Sequence, residues 1–110
     1  MPDRKWSEAE KKIARRAYET ARQAVLAAAF AEFKAKAAAA TTVDDMWSIG
    51  DELRQRRREL EELLVYRYSQ LTLVFACLIL QGYLAEEQLK GLSEDKLVEI
   101  RRDVSSMRSR

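Results

Sequence analysis

The sequence predicts an all-α protein, a long antiparallel helical stem carrying a small helical head, and three observations support it. Gly occurs three times and Pro once in 110 residues, too few turn formers for a β-rich chain. Ala, Leu, Glu, Arg and Lys dominate, and all five favour helix. Apolar residues recur at spacings of three and four, the period of a helix with one buried side. The expected layout is a single domain over residues 1–110, with the stem at about 7–67, the head at about 68–103 and a frayed tail at 104–110.

Met1 to Trp6 read as a loose start. Ser7 and Glu10 then form a capping box, in which each side chain satisfies the other's backbone amide. Nothing breaks a helix from there to about Ala40. Ile13, Ala17, Ala21, Val25 and Ala28 make one buried stripe, and Leu26, Phe30, Phe33 and Ala37 a second. Such a helix is about 45 Å long, too long for a compact monomer, so part of its apolar face needs a neighbour. A turn is expected at residues 39–42, followed by a second N-cap at Thr42 with Asp45. The second helix runs from Val43 to about Arg67. Met46, Leu53 and Leu60 lie seven apart on its seam, with Ile49 and Leu63. Glu52 with Arg56, Arg57 with Glu61 and Arg58 with Glu62 are four apart and suit a solvated face.

Leu71 to Leu80 is apolar on every side and fits a buried strand or a buried helix. Helix is preferred because the chain offers no second strand to pair with it. Gly82 suits its C-cap. A short helical turn follows at Ala85 to Lys90, then a break at Gly91. Ser93 caps a last helix with Leu97 and Ile100 facing inward.

Composition argues against catalysis. There is no histidine, so the commonest general base and metal ligand is missing. A single cysteine, Cys77, builds neither a disulfide nor a zinc site. Gly-rich phosphate loops are absent, and no cofactor is expected. The carboxylates have basic neighbours at helical spacing. Leu71 to Leu80 is too short to span a bilayer, which takes roughly 20 residues, and no signal peptide precedes it, so the chain reads as cytoplasmic. Net charge is only +2 with the signs interleaved, so no nucleic-acid partner is expected. The alternative is a helix-turn-helix over Leu84 to Ile100 using Arg101, Arg102 and the tail, against a plain capping subdomain.

Two features point to a protein partner. Trp47 lies beside Gly50 in the second helix, and a small residue next to a large aromatic lets another surface come close. The competing reading packs Trp47 on its own first helix. Asp51 and Arg57 lie about 120° apart around a helix and cannot pair well within it. Two copies crossing antiparallel near Arg54 would bring each Asp51 to the other's Arg57, as a two-fold interface does.

At these residues the chain resembles the fluorescence recovery protein family of cyanobacteria. The likeness rests on Trp6-Ser7 with Ala9-Glu10, Asp44-Asp45-Met46-Trp47, Asp51, Leu53, Arg57, Val74-Phe75-Ala76, Gly82, Leu89, Leu92, Asp95-Lys96 and Ile100. It implies an all-helical homodimer without cofactor that binds light-activated orange carotenoid protein, chiefly through that protein's C-terminal domain. Binding speeds return to the resting form and ends photoprotective quenching at the phycobilisome. By the same resemblance Trp47, Asp51 and Arg57 belong to the dimer interface or its adjoining surface, and Met46, Gly50 and Leu53 complete that set. Leu73, Lys96 and Glu99 are the partner-binding candidates in the head. Three positions depart from the family: Gly50 replaces a histidine, Leu73 an aromatic and Glu99 a lysine. The resemblance also implies an alternative, a homologue from a bacterium without the carotenoid protein that has a different protein partner.

Overall fold

Helix starts in this chain are set by side chains that satisfy the free amides of the first turn. The computed structural model describes residues 6–109. Among them the regular elements are helices: α1 (Glu8–Ala39), α2 (Val43–Leu63), α3 (Leu71–Leu80), a 3₁₀ turn (Glu86–Leu89) and α4 (Glu94–Arg108). The expected capping box of Ser7 with Glu10 is present, and the expected cap at Thr42 proves to be a capping box with Asp45 as well. The Ser93 hydroxyl accepts from the Lys96 amide at 3.4 Å and starts α4. At the end of α3, Gly82 takes φ 86°. Its N–H donates to the Ile79 carbonyl at 3.0 Å and that of Tyr83 to the Leu78 carbonyl at 2.9 Å, which satisfies two of the last carbonyls of the helix.

The short Ala40–Thr42 link folds α2 back along α1, and the Lys36 ammonium reaches the Glu52 carboxylate at 2.6 Å across the hairpin. α1 has 32 residues, which at the helical rise gives roughly 48 Å and accounts for most of the 53 Å long axis. Its first half belongs to the head. Ala14, Ala17, Tyr18, Ala21 and Val25 are buried with Leu71, Phe75, Leu78, Leu89, Leu92 and Ile100. The alanines let the head approach α1 closely. Gly91 takes φ 108°, a conformation that L side chains rarely adopt, and packs against the end of the Ile13 side chain, so glycine is required there by its backbone.

A polar clamp fixes the join. The Glu10 carboxylate accepts from the Ser7 amide at 3.0 Å and the Ser93 amide at 2.8 Å, and both its oxygens receive the Lys96 ammonium at 3.2 Å. Lys96 is 3% exposed and also lies 4.8 Å from the Trp6 ring centroid. Burial alone would raise the Glu10 pKa, but the two amides and Lys96 outweigh it and hold the pKa near 2, against an ordinary 4.5.

Several sequence expectations need correction. α2 ends at Leu63, not Arg67. Residues 64–70 instead form a strap over the first half of α1, where Tyr66 meets Tyr18 at 4.9 Å and Tyr68 meets Trp6 at 5.5 Å between ring centroids. Arg15 lies 3.9 Å over the Tyr66 ring. The aromatic and cation–π contacts of the strap are unavailable to a continued helix. Trp6 is buried and not part of a loose start; residues 1–5 of that segment lie outside the described residues. Ala28 is exposed, and the true stripe on α1 ends at Val25. The tail is not frayed from residue 104: α4 runs to Arg108, with Val104 buried and Met107 half-buried, while Arg110 is outside the described residues. Of the expected pairs, Arg57–Glu61 forms at 3.5 Å. Glu52 bonds Lys36 instead, Arg56 pairs with Glu59, and Arg58 donates to Gln55.

The clamp has a pH signature. A carboxyl whose pKa is lowered by folding stabilises the fold above its unfolded pKa, and the effect is lost as pH falls through the folded value. Glu10 therefore contributes fully above pH 4.5 and progressively less towards pH 2. Glu10→Gln removes the carboxylate that faces the buried Lys96 ammonium and should cost about 3–5 kcal/mol at neutral pH. It should also flatten this part of the stability–pH curve, as measured by urea unfolding across the range.

Candidate functional site

The faces of α2 turned away from α1 gather most of the interface set. Ile49, Leu60 and Leu63, on the side toward α1 and the head, are half-buried. Trp47 is 64%, Met46 53% and Leu53 48% exposed. The seam expected from the seven-residue spacing is thus divided: its lower part packs inward, and Met46 and Leu53 face out. The alternative in which Trp47 packs on its own first helix does not hold. Asp51 pairs with Arg54 and Arg57 with Glu61, both on the exposed surface of the same helix. Exposed pairs of this type contribute little, so each charge can change partner cheaply. Around Gly50 nothing approaches within 4 Å of the place a Cβ would take.

Outer α1 adds residues that the sequence pattern assigned to burial. Leu26 is 39% and Phe30 61% exposed, with Lys34 lying 4.8 Å over the Phe30 ring. Val43, at the tip, is also exposed. Two open grooves flank the helix contact, one lined by Ala29, Phe33, Ile49 and Leu53, the other by Leu26, Leu53, Leu60 and Leu64. Arg56 borders both, and its Nε is buried without a hydrogen-bond partner. An apolar face of this extent, edged by charges, has the character of an interaction surface. The signal was in the sequence as the second stripe of α1; only its outward direction needed the structure.

The head candidates separate. Leu73 is 50% exposed on α3, and Val98, unmarked in the sequence, is 39% exposed on α4. Glu99 is half-buried and accepts from the Thr72 hydroxyl at 2.7 Å, which ties α3 to α4 beside Leu73. Lys96 is corrected: its ammonium is enclosed by Glu10 and Trp6, so its role is internal. No burial or spacing rule marks a lysine inside an amphipathic helix as core; the signal lay in Glu10, 86 residues away.

Among the described residues, no group of His, Cys, Asp and Glu is arranged to hold a metal ion, and no helix is long and apolar enough to cross a membrane. Cys77 is half-buried, and burial raises its thiol pKa with help from Asp103, which disfavours the reactive thiolate. Arg101, central to the nucleic-acid alternative, is already paired with Glu86 and Glu94.

Comparison with known proteins agrees with this architecture. Residues 6–103 match the family model described as photoprotection regulator fluorescence recovery protein. The chain is 33% identical over 96 residues to the fluorescence recovery protein of Synechocystis sp. PCC 6803, covering 87% of this chain and 88% of that one. The solved structure of the Fremyella diplosiphon fluorescence recovery protein superposes with a TM-score of 0.87 at 34% identity, covering 94% of this chain and 100% of that one. That of the Synechocystis protein gives 0.87 at 32%, covering 92% and 99%.

The open space at Gly50 yields a test. Alanine there meets nothing in its own chain and favours helix by about 1 kcal/mol over glycine. At micromolar concentration, where copies can pair, Gly50→Ala should therefore raise the unfolding free energy by about that amount. A loss of stability instead would show that a second molecule comes close at this position.

Proposed function

The chain belongs to the fluorescence recovery protein family of photoprotection regulators, and from that premise we propose that it is a non-catalytic homodimer acting in the cytoplasm on the orange carotenoid protein. It binds the photoactivated form through that protein's C-terminal domain and accelerates return to the resting state. The observation that carries this reading is the match along residues 6–103 together with the outward-facing Trp47, Asp51 and Arg57. No bond need be made or broken. A regulator speeds a conformational return by binding the arrangement on the way back more tightly than the activated form, and the acceleration is bounded by that difference in affinity.

Two copies joined through the hairpins would cover Trp47, Met46 and Leu53 and let Asp51 and Arg57 exchange their present partners for each other. The head would then offer Leu73 and Glu99 to the carotenoid protein. A second reading follows from the departures from the resembled family pattern. An aromatic and a lysine of the family pattern are Leu73 and Glu99 here, so the protein partner differs or is held more weakly. Aromatic anchors concentrate binding energy, and a reversed charge repels what the lysine would attract.

Two experiments test the assembly and the partner. Light scattering at micromolar concentration should give a mass near twice 12.7 kDa, and Trp47→Ala should lower it. Asp51→Arg or Arg57→Asp alone should weaken the dimer and the double swap should restore part of the loss, with a coupling of about 0.5 kcal/mol or more; purely additive effects would mean that the two residues do not meet. For the partner, the readout is dark reversion of illuminated orange carotenoid protein with and without this chain. Leu73→Phe with Glu99→Lys should increase the acceleration, since the Thr72 hydroxyl can accept from a lysine where it now donates. If the unchanged chain already matches the Synechocystis protein, these two positions do not govern recognition.

A further inference from the structure

Order in the hairpin is supported very unevenly from within one chain. α2 has no buried residue, and α1 has none beyond Val25. Leu60, Leu63 and Leu64 pack against the head core and fasten the C-terminal end of α2. The two free arms differ in what they can sustain alone. Outer α1, residues 26–39, is alanine-rich and continues a helix already nucleated and anchored in the head, so each further residue adds a hydrogen bond without a new nucleus. Residues 43–58 of α2 carry Gly50, Ser48, three aspartates and the β-branched Val43 and Ile49, all weaker helix formers. Their ties to α1 are half-buried contacts around Ile49 and the Lys36–Glu52 pair, whose side chains are 45% and 53% exposed. An exposed ion pair contributes little, and the Thr42 cap steadies only the first turn.

We infer that residues 43–58 are ordered by self-association: in the unpaired chain this part of α2 leaves α1 and melts, while α1 remains a continuous rod and the head stays closed. The inference rests on the reading of the hairpin as the surface where two copies meet. A second copy is the fitting occupant because the exposed face is apolar at Met46, Trp47 and Leu53 and carries one acid and one base, Asp51 and Arg57, that a two-fold axis would pair reciprocally. Melting has a consequence for the same site. It uncovers the side of α1 bearing Ala29 and Phe33, so assembly and dissociation change which apolar surface the chain displays.

Hydrogen exchange with mass spectrometry on the full chain tests this, using wild type across a dilution series and the variant Leu53→Glu. In the unpaired chain, amides of 46–58 should exchange at least about tenfold faster than in the dimer. Amides of 12–25, α3 and α4 should be unchanged, which shows that the variant remains folded. If the mass halves and 46–58 stay protected, the inference is overturned and the dimer reading survives. If the mass never reaches that of a dimer at any concentration, the dimer reading fails and the inference fails with it.

Discussion

A single carboxylate governs how this chain closes. Glu10 is buried at the start of α1 and joined to Ser93 and Lys96 at the start of α4, so one side chain fixes the register between the first and last helices. Removing a carboxylate and an ammonium from water is costly, and the attraction between them repays it only when their remaining bonding capacity is filled. Here two backbone amides fill it on one side and the Trp6 ring lies against the other. An apolar pair of similar volume could bury as well, but it would tolerate a slip of α4 along α1. The polar clamp does not, because each donor has one position. Gly91 sits at the same join against the Ile13 side chain, in a backbone conformation at φ 108° that L side chains rarely adopt.

Once that register is set, α1 serves two bodies. Its first half is core for the head, and its second half backs the part of α2 that lies beyond the end fastened to the head by Leu60 and Leu63. The alanines at 14, 17 and 21 serve close approach inside the head, whereas those at 35, 37, 38 and 39 are exposed and only maintain helix. One residue type therefore answers two demands along one element. The candidate surfaces fall on either side of this division, with Trp47, Asp51 and Arg57 on the hairpin and Leu73 on the head.

Local rules made much of this legible. The capping box at Ser7, the caps at Thr42 and Ser93 and the glycine stop at 82 depend on residues three or four apart, and all stand where the sequence puts them. The helical nature of Leu71 to Leu80 followed from the want of a strand partner. What escaped was non-local. Nothing near Tyr66 or Tyr68 says that α2 must stop so that two rings can reach Tyr18 and Trp6. Lys96 sits among charged neighbours on an amphipathic helix and reads as surface, yet its partner lies at the far end of the chain. Direction was also hidden: the pattern Leu26, Phe30 marks an apolar face without saying whether its own chain covers it.

The Glu10 clamp also sets an order of events during synthesis. α1 is made first, but the amide and ammonium that neutralise its buried acid arrive 83 and 86 residues later. At a synthesis rate of about 5–20 residues per second, that separation is roughly 4–17 s. Through that interval Trp6, Tyr18 and Val25 lack their cover from α4, and through most of it that from α3 as well. The nascent helix must therefore persist on local terms, through its capping box and its alanines, until the last helix closes the head.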